Sequence, residues 1–252
     1  FPEMSAPFFE NSIVKRAIAK GIVEVEFINF RDFTLDKYGR VDTPPVGGGA
    51  GLLLKAQPIV DALESVSTSS SKRILLSPHG RVFNQQIAHE LSKEQHLILV
   101  CGHYEGVDVR VNHYIDEKIS LGDYIITGGE LGAAIIADAV IRLLDGAIAD
   151  ESIKEESFEG GLLEYPQYTE PYSYREHNVP LIFYSGNHEA IRKYRQTQAL
   201  VLTREHRPDL FAQYELSKED KKLLEEYDSG VTPKWVDDAI EKGAKFTKKD
   251  EE

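Results

Sequence analysis

Apolar and polar positions alternate in a regular rhythm through the middle of the chain. Between residues 73 and 144, three short apolar runs are each followed by a glycine-containing loop or a turn and then by a stretch with helical periodicity. The runs Arg73–Ser77, Leu97–Cys101 and Ile115–Ser120 predict strands. Strand, loop and helix in repetition indicate parallel strands joined by helical crossovers, so we predict an α/β fold with a parallel sheet.

The flanking pattern predicts further elements. An alternating run predicts a strand at Ile22–Asn29, and Pro78–Gly80 is predicted as a turn. The predicted helices are Asn11–Lys20, Pro58–Ser65, Asn84–Lys93, Val107–Tyr114, Glu130–Leu144, Asn187–Thr203, Ser217–Tyr227 and Thr232–Lys242. Residues 147–172 lack periodicity. We therefore predict an α/β domain over residues 1–146, an interdomain segment over 147–172 and a helical domain over 173–252.

Composition and charge narrow the function classes. The chain of 252 residues is 41% hydrophobic and carries a formal net charge of −13, which argues against a nucleic-acid partner for the protein as a whole. Five Lys and Arg residues against two acids between residues 189 and 207 nevertheless leave a local basic face. No apolar run approaches the roughly 20 residues of a membrane helix, and we expect no secretory signal. The single cysteine fits a reducing compartment, so we expect a cytoplasmic protein without a membrane partner.

Glycines concentrate in loops that follow the predicted strands. These loops are Leu76–Gly80, Cys101–Gly106 and Leu121–Gly132, and a further glycine run, Gly47–Gly51, precedes them. Ligands of open α/β sheets gather at the carboxyl ends of the strands, where glycine lets the backbone approach closely. The apolar residues within Leu121–Gly132 predict a packed loop whose backbone groups bind a nucleotide-like cofactor. Each segment has a structural alternative. These are a mobile turn for Gly47–Gly51, an ordinary strand-to-helix connection for Leu76–Gly80, a capped helix start for Cys101–Gly106 and a structural loop for Leu121–Gly132.

Two other kinds of site find little support in the sequence. The eight histidines are scattered and belong to no metal-binding motif, so we expect no dedicated metal site. The glycine spacing also differs from the dinucleotide fingerprint, which argues against a nicotinamide dehydrogenase.

Several motifs, taken in order, resemble one known family. They are Phe1-Pro2-Glu3-Met4, Arg31-Asp32-Phe33-Thr34, Gly47–Gly51, Leu76–Gly80, Leu97–Gly106, Leu121–Leu131, Tyr165-Pro166 and Ser185-Gly186-Asn187-His188. Over essentially its whole length the chain is similar to the bacterial tRNA (guanine-37-N1)-methyltransferases of the TrmD family, in the SPOUT class. The resemblance implies a trefoil knot in the C-terminal part of the sheet, followed by a small helical domain. It also implies a homodimer with the active site at the subunit interface. The family has a short apolar strand before its Phe-Pro-Glu-Met, so we expect this chain to be trimmed at its start.

The resemblance also implies S-adenosylmethionine (AdoMet) as methyl donor, bent among three loops of the knot. The residues expected to bind it are Leu75, Leu76, Ser77, Pro78, Gly102, Tyr104, Glu105, Gly106, Ser120, Leu121, Gly122, Asp123, Tyr124, Ile125, Ile126, Gly128 and Gly129. Magnesium supports methyl transfer in the family. It is implied here by the resemblance alone, because no residue identifies a site.

The chemistry of N1 methylation requires a base and a positive charge. N1 of neutral guanine carries a proton that a base must remove, while charge builds on the guanine oxygen. By resemblance the arginine is Arg142 and the base is Glu156, where the family has an aspartate. Glutamate is longer than aspartate by one methylene group. A small misplacement of a catalytic carboxylate can greatly lower the reaction rate. Glu156 is our hypothesis for the base.

Expected RNA contacts lie in three parts of the chain. They are Asp42, Gly47, Gly48, Gly49, Arg110, Arg192, Lys193 and Arg195. For the basic helix, a solvated surface is an equally good interpretation. Other functions stay open at this point: a related RNA methyltransferase with a different target base, or an RNA-binding relative with impaired catalysis.

Overall fold

The computed structural model describes residues 1–149 and 156–247. The chain forms two compact units, Phe1–Asp150 and Glu151–Glu252.

The first unit is built on a parallel three-stranded sheet. Its elements in order are α1 (Pro2–Phe9), α2 (Ser12–Ala19), β1 (Asp42–Thr43), β2 (Leu53–Leu54), α3 (Ala56–Val66), β3 (Ser71–Val82), α4 (Gln85–Leu91), β4 (His96–Val100), β5 (Glu117–Ser120) and α5 (Glu130–Ile141). Two short 3-10 helices, Phe30–Phe33 and Val109–Tyr114, complete it. The strand order is β4-β3-β5, with β3 parallel to both neighbours. The predicted α/β class and parallel sheet are confirmed.

The core of this unit follows the predicted apolar positions. Ile74 of β3 and Ile119 of β5 are fully buried and pack against Ile87 of α4 and Ile136 of α5. Helix α4 begins where the sequence predicted, because the side chain of Asn84 accepts a hydrogen bond from the backbone N–H of Ile87 at 3.0 Å. Burial of these branched side chains fixes the sheet beneath the loops that follow each strand.

Four local predictions differ from the structure. Residues 22–29 form no strand, since they pair with no other backbone segment, although Val23 and Val25 still pack against Ile141. The predicted turn Pro78–Gly80 lies inside β3, where the register with β5 shifts between Leu76 and Arg81. The predicted helix at 107–114 is only a 3-10 helix. Helix α1 was missed because its two prolines discourage a helix prediction.

The second unit is mainly helical. Its elements are β6 (Ser173–Tyr174), β7 (His177–Asn178), a 3-10 helix (Leu181–Tyr184), α6 (His188–His206), α7 (Pro208–Phe211), α8 (Lys218–Asp228) and α9 (Lys234–Thr247). The three long helices match the predicted ones. Ser217 and Asp220 form a reciprocal capping box that starts α8. Within the described ranges, no helix is both long and apolar enough to cross a membrane.

Candidate active site

The glycine loops that follow β4 and β5 meet at one edge of the first unit. The backbone N–H of Gly129 donates to the carbonyl oxygen of Gly102 at 2.8 Å, and His103 forms an antiparallel bridge with Gly128. The loop after β5 therefore lies directly on the loop after β4. The structure thus brings together two of the loops that the sequence singled out.

Two of these glycines are required by close packing. A Cβ added at Gly129 would lie 2.8 Å from Cα of Cys101, and one at Gly128 would overlap the His103 ring and the Glu130 carboxylate. Gly129 has an ordinary helical conformation, φ −76° and ψ −10°, so space rather than backbone strain demands glycine there. The absence of side chains lets the loop after β5 pack directly on the loop after β4.

Glu130 is the functional candidate that the sequence analysis missed. It is the first residue of α5, and only 6% of its surface is exposed. Its Oε1 atom lies 3.3 Å from Nε2 of His103, without the alignment of a hydrogen bond. Within residues 1–149 and 156–247, no hydrogen-bond partner reaches Oε2 of Glu130 or Nε2 of His103. The sequence did contain one sign of this residue: an acidic side chain in the first turn of a predicted helix, directly after Gly128 and Gly129.

The glycine run Gly47–Gly51 joins the loop after β4. The N–H of Leu54 donates to the Gly106 carbonyl at 3.0 Å, and the N–H of Glu105 donates to the Leu52 carbonyl at 3.1 Å. Gly51 has φ +76° and lies beneath the side chain of Glu105, so a Cβ there would collide with that carboxylate. An expected RNA-binding segment and an expected cofactor-binding residue are therefore neighbours.

The loop after β5 is only partly packed. Ser120 Oγ accepts a hydrogen bond from the Gly122 N–H at 3.2 Å, which anchors the start of the loop. Tyr124 and Ile125 are 57% and 84% exposed. Ile126 and Leu131 are also exposed, by 39% and 58%. The prediction that apolar residues throughout this loop are packed is wrong for these four.

The expected residues of β3 lie partly in the core. Leu75 is buried in the sheet, Leu76 packs against the core cluster, and Pro78 is exposed. The side chain of Ser77 accepts a hydrogen bond from the backbone N–H of His79 at 3.3 Å. The side chain of Leu75 therefore belongs to the core of the sheet.

Cys101 lies at the base of the loop after β4. Burial, followed by the nearby Glu130 carboxylate, raises the pKa of its thiol to about 12. The thiol is therefore protonated at neutral pH.

The two expected catalytic residues belong to different units. Arg142 is the C-cap of α5 and is half-buried. Glu156 is half-buried and starts a closed loop of the second unit. That loop is held by hydrogen bonds from the Phe158 N–H to the Leu162 carbonyl (2.9 Å) and from the Leu163 N–H to Oγ1 of Thr203 on α6 (2.8 Å).

The expected RNA-binding cations are mostly paired with carboxylates. Arg110 makes two hydrogen bonds to Asp108, at 2.9 and 2.6 Å, and these hold the pKa of the Asp108 carboxyl below its usual range. Arg192 lies between Glu189 and Glu219. Lys193 also pairs with Glu189, at 3.4 Å.

Arg195 is different from the other cations of α6. Its guanidinium stacks over the ring of Tyr165 at 4.6 Å, and no carboxylate in the described parts of the chain pairs with it. Its buried Nε atom also lacks a hydrogen-bond partner there. Stacking fixes the orientation of the guanidinium while leaving its charge uncompensated.

The remaining expected residues lie at the surface near β1. Asp42 pairs with Leu54 across β1 and β2. Gly47, Gly48 and Gly49 are exposed and have positive φ angles. Among the residues with described placement, no group of three or more His, Cys, Asp or Glu side chains is arranged to hold a metal ion.

Comparison with known proteins assigns the family. The family model described as tRNA (Guanine-1)-methyltransferase TrmD matches residues 1–213. Proteins named tRNA (guanine-N(1)-)-methyltransferase from Clostridium botulinum (strain Langeland / NCTC 10281 / Type F) and Clostridium novyi (strain NT) are 49% and 51% identical over 229 residues, covering 90% of this chain and 95% of each relative. The protein of that name from Dictyoglomus turgidum is 52% identical over 227 residues, covering 90% of this chain and 93% of the relative. The chain therefore belongs to the TrmD family of tRNA (guanine-1)-methyltransferases.

Proposed function

We propose that this protein transfers a methyl group from AdoMet to N1 of guanine 37 in tRNA, next to the anticodon. The observation that carries the proposal is the edge of the sheet where Gly128, Gly129 and Gly102 meet around the buried Glu130 carboxylate. Family membership and the names of the relatives support the same reaction.

The residues at this edge fit AdoMet. Gly106 leaves room for a ligand to approach the backbone, because a Cβ there would meet no atom within 4 Å. Backbone N–H and C=O groups suit an adenine edge. The unpartnered Oε2 of Glu130 offers negative charge to a ligand that carries a positive one. When bound, AdoMet supplies an electrophilic methyl group on a sulfonium.

The rest of the chemistry belongs to side chains of the chain. Glu156 takes the proton from N1 of guanine, which makes that nitrogen nucleophilic. Arg142 stabilises the negative charge that then builds on the guanine oxygen. Glu156 replaces the family's aspartate with the same functional group on a longer stem, and this makes it the residue whose geometry most needs testing.

The tRNA is bound by the second unit and by the glycine run of the first. Arg195 supports this best, because its stacked guanidinium has no carboxylate partner in the described chain and suits a phosphate. When tRNA binds, its phosphates replace the present carboxylate partners of Arg192, Lys193 and Arg110. We assign residues 1–146 to the cofactor domain, 147–172 to the segment with the base, and 173–252 to tRNA binding.

The active form is a homodimer with the active site at the subunit interface. Leu131 and Ile135, one turn apart on α5, are 58% and 50% exposed. Met4 and Phe8 form a similar exposed pair on α1, which packs against α5. An exposed apolar surface of this kind favours a second protein chain. A trefoil knot of the sheet, a cytoplasmic location and support by Mg²⁺ complete the proposal by family likeness.

Transfer of a labelled methyl group from AdoMet to tRNA tests this function. Label is expected in tRNA with guanine at position 37 and not in the same tRNA with adenine there. Digestion to nucleosides should give 1-methylguanosine. Label on a different base would contradict the assigned target, and AdoMet binding without transfer would identify an impaired RNA-binding relative.

A further inference from the structure

A pocket lies in the second unit between α6, α8 and the turn before α9. Its volume is about 250 Å³, and its walls include the rings of Tyr194, Tyr227 and Trp235. The turn from Gly230 to Pro233 closes one side. The pocket is therefore large enough for one planar heterocycle and offers it aromatic surfaces.

The polar groups of the pocket are only partly used by the protein. Glu226 accepts a hydrogen bond from Nε1 of Trp235 at 3.0 Å, which fixes the indole. Its other oxygen has only Lys222 nearby, at 3.8 Å. The side chains of Gln198 and Thr232 also line the pocket and make no hydrogen bond to any described residue.

These groups select among possible ligands. A purely apolar ligand would displace water from Gln198 and from Oε1 of Glu226 without offering a hydrogen bond in return, which is costly. An anionic group inside the pocket would be repelled by Glu226. Lys193, whose Nζ lies 6.0 Å from the centre of the Trp235 ring, provides a positive charge beside the pocket. The combination favours a neutral planar base with N–H donors, attached to a chain that is negative outside the pocket.

We infer that this pocket binds one unpaired nucleobase of the tRNA, other than the methylated guanine, through stacking on the aromatic rings and donation from an exocyclic amino group to Glu226. The inference rests on the proposed function, because it takes tRNA as the substrate. Guanine, adenine and cytosine carry such an amino group, and uracil does not. The pocket thus serves as a second point of RNA recognition.

Trp235 makes the test direct, because it is the only tryptophan of the chain. We expect saturable quenching of its fluorescence when the full-length protein is titrated with tRNA, after correction for absorption by the RNA. Guanosine, adenosine and cytidine at high concentration should also quench, and uridine should quench least. Binding of tRNA is measured in parallel by filter retention.

Two variants and one control separate recognition from structure. Tyr227→Ala should weaken tRNA binding about fivefold or more, as expected for loss of one stacked base, and Gln198→Ala should reduce the nucleoside quenching without unfolding the helices. Both should keep wild-type affinity for AdoMet. Tyr38→Ala, at a 70% exposed tyrosine of the first unit outside the pocket lining, should change neither tRNA binding nor the nucleoside quenching.

The outcomes are distinguishable. Retention of tRNA with unchanged Trp235 fluorescence would overturn the inference while leaving the proposed function intact. Uridine quenching as strong as that of guanosine would overturn the role of Glu226. Failure to retain any tRNA would instead refute the proposed function itself.

Discussion

Replacing Gly129 by alanine tests whether the contact between two glycine loops sustains the cofactor site. The backbone conformation at Gly129 suits alanine, so the cost must come from packing. The new Cβ would lie 2.8 Å from Cα of Cys101 and 3.2 Å from the backbone N of Gly102. Both are backbone atoms, which cannot rotate away as the end of a side chain can.

The expected magnitude follows from this geometry. Overpacking of this kind costs about 1–3 kcal/mol, which a domain with a typical stability of about 5–15 kcal/mol survives. If the loops separate to relieve the clash, AdoMet binding must restore them. The affinity should then fall by about five- to 150-fold, since 1.4 kcal/mol corresponds to a factor of ten.

Urea unfolding and calorimetric titration with AdoMet measure the two effects. Gly160→Ala is the matched control, because a Cβ at Gly160 meets no atom within 4 Å. Gly132→Ala is a second comparison. Its Cβ meets only the ends of Leu76 and Leu121, at 3.1 Å, and alanine gains about 1 kcal/mol in a helix. A Gly129→Ala protein with wild-type stability and AdoMet affinity would refute the reasoning.

Three further predictions concern single side chains. Glu156→Gln should lower the rate of tRNA methylation by about 10²- to 10⁴-fold with AdoMet affinity retained, whereas Glu159→Gln should not; near-normal turnover of Glu156→Gln would exclude Glu156 as the base. Arg142→Ala should lower kcat far more than it weakens AdoMet binding, and an equal loss in both would show a binding role instead. Asp116 is held by Arg73, which lowers the pKa of its carboxyl to about 2. Because the folded pKa is depressed, this contribution to stability is present above about pH 4 and is lost as the pH falls towards 2. The difference in urea midpoint between wild type and Asp116→Asn should shrink over that range, and a constant difference would contradict it.

The sequence predicted the sheet better than it predicted the elements at its margins. Strands β3, β4 and β5 could be predicted because each contains a short apolar run followed by a turn or loop, a local pattern that is recognisable without its distant partner. Residues 22–29 show what a local pattern cannot predict. The alternation of Val23 and Val25 indicates that one face of this segment is buried. A strand also requires hydrogen bonds to a neighbouring backbone segment, and the local sequence does not show whether one is present.

The same distinction applies to the site. The density of glycines indicated loops with close approaches, and Gly128 and Gly129 have them. Glu130 was missed because an acidic residue at a helix start is ordinarily a solvated one. Its burial, and the nearness of His103, arise from contacts between segments 27 residues apart, 103 and 130, which only the folded chain brings together.

The buried thiol of Cys101 also determines how this protein responds to oxidants and alkylating reagents. Peroxide and iodoacetamide react with thiolates, and a thiol whose pKa is about 12 presents almost none at neutral pH. Modification of this half-buried residue is therefore slow while the loops are closed, and local opening that exposes the thiol to water should speed it. The rate at which this single cysteine is alkylated therefore measures how often the loops open. A bound ligand that holds the loops together should lower the alkylation rate.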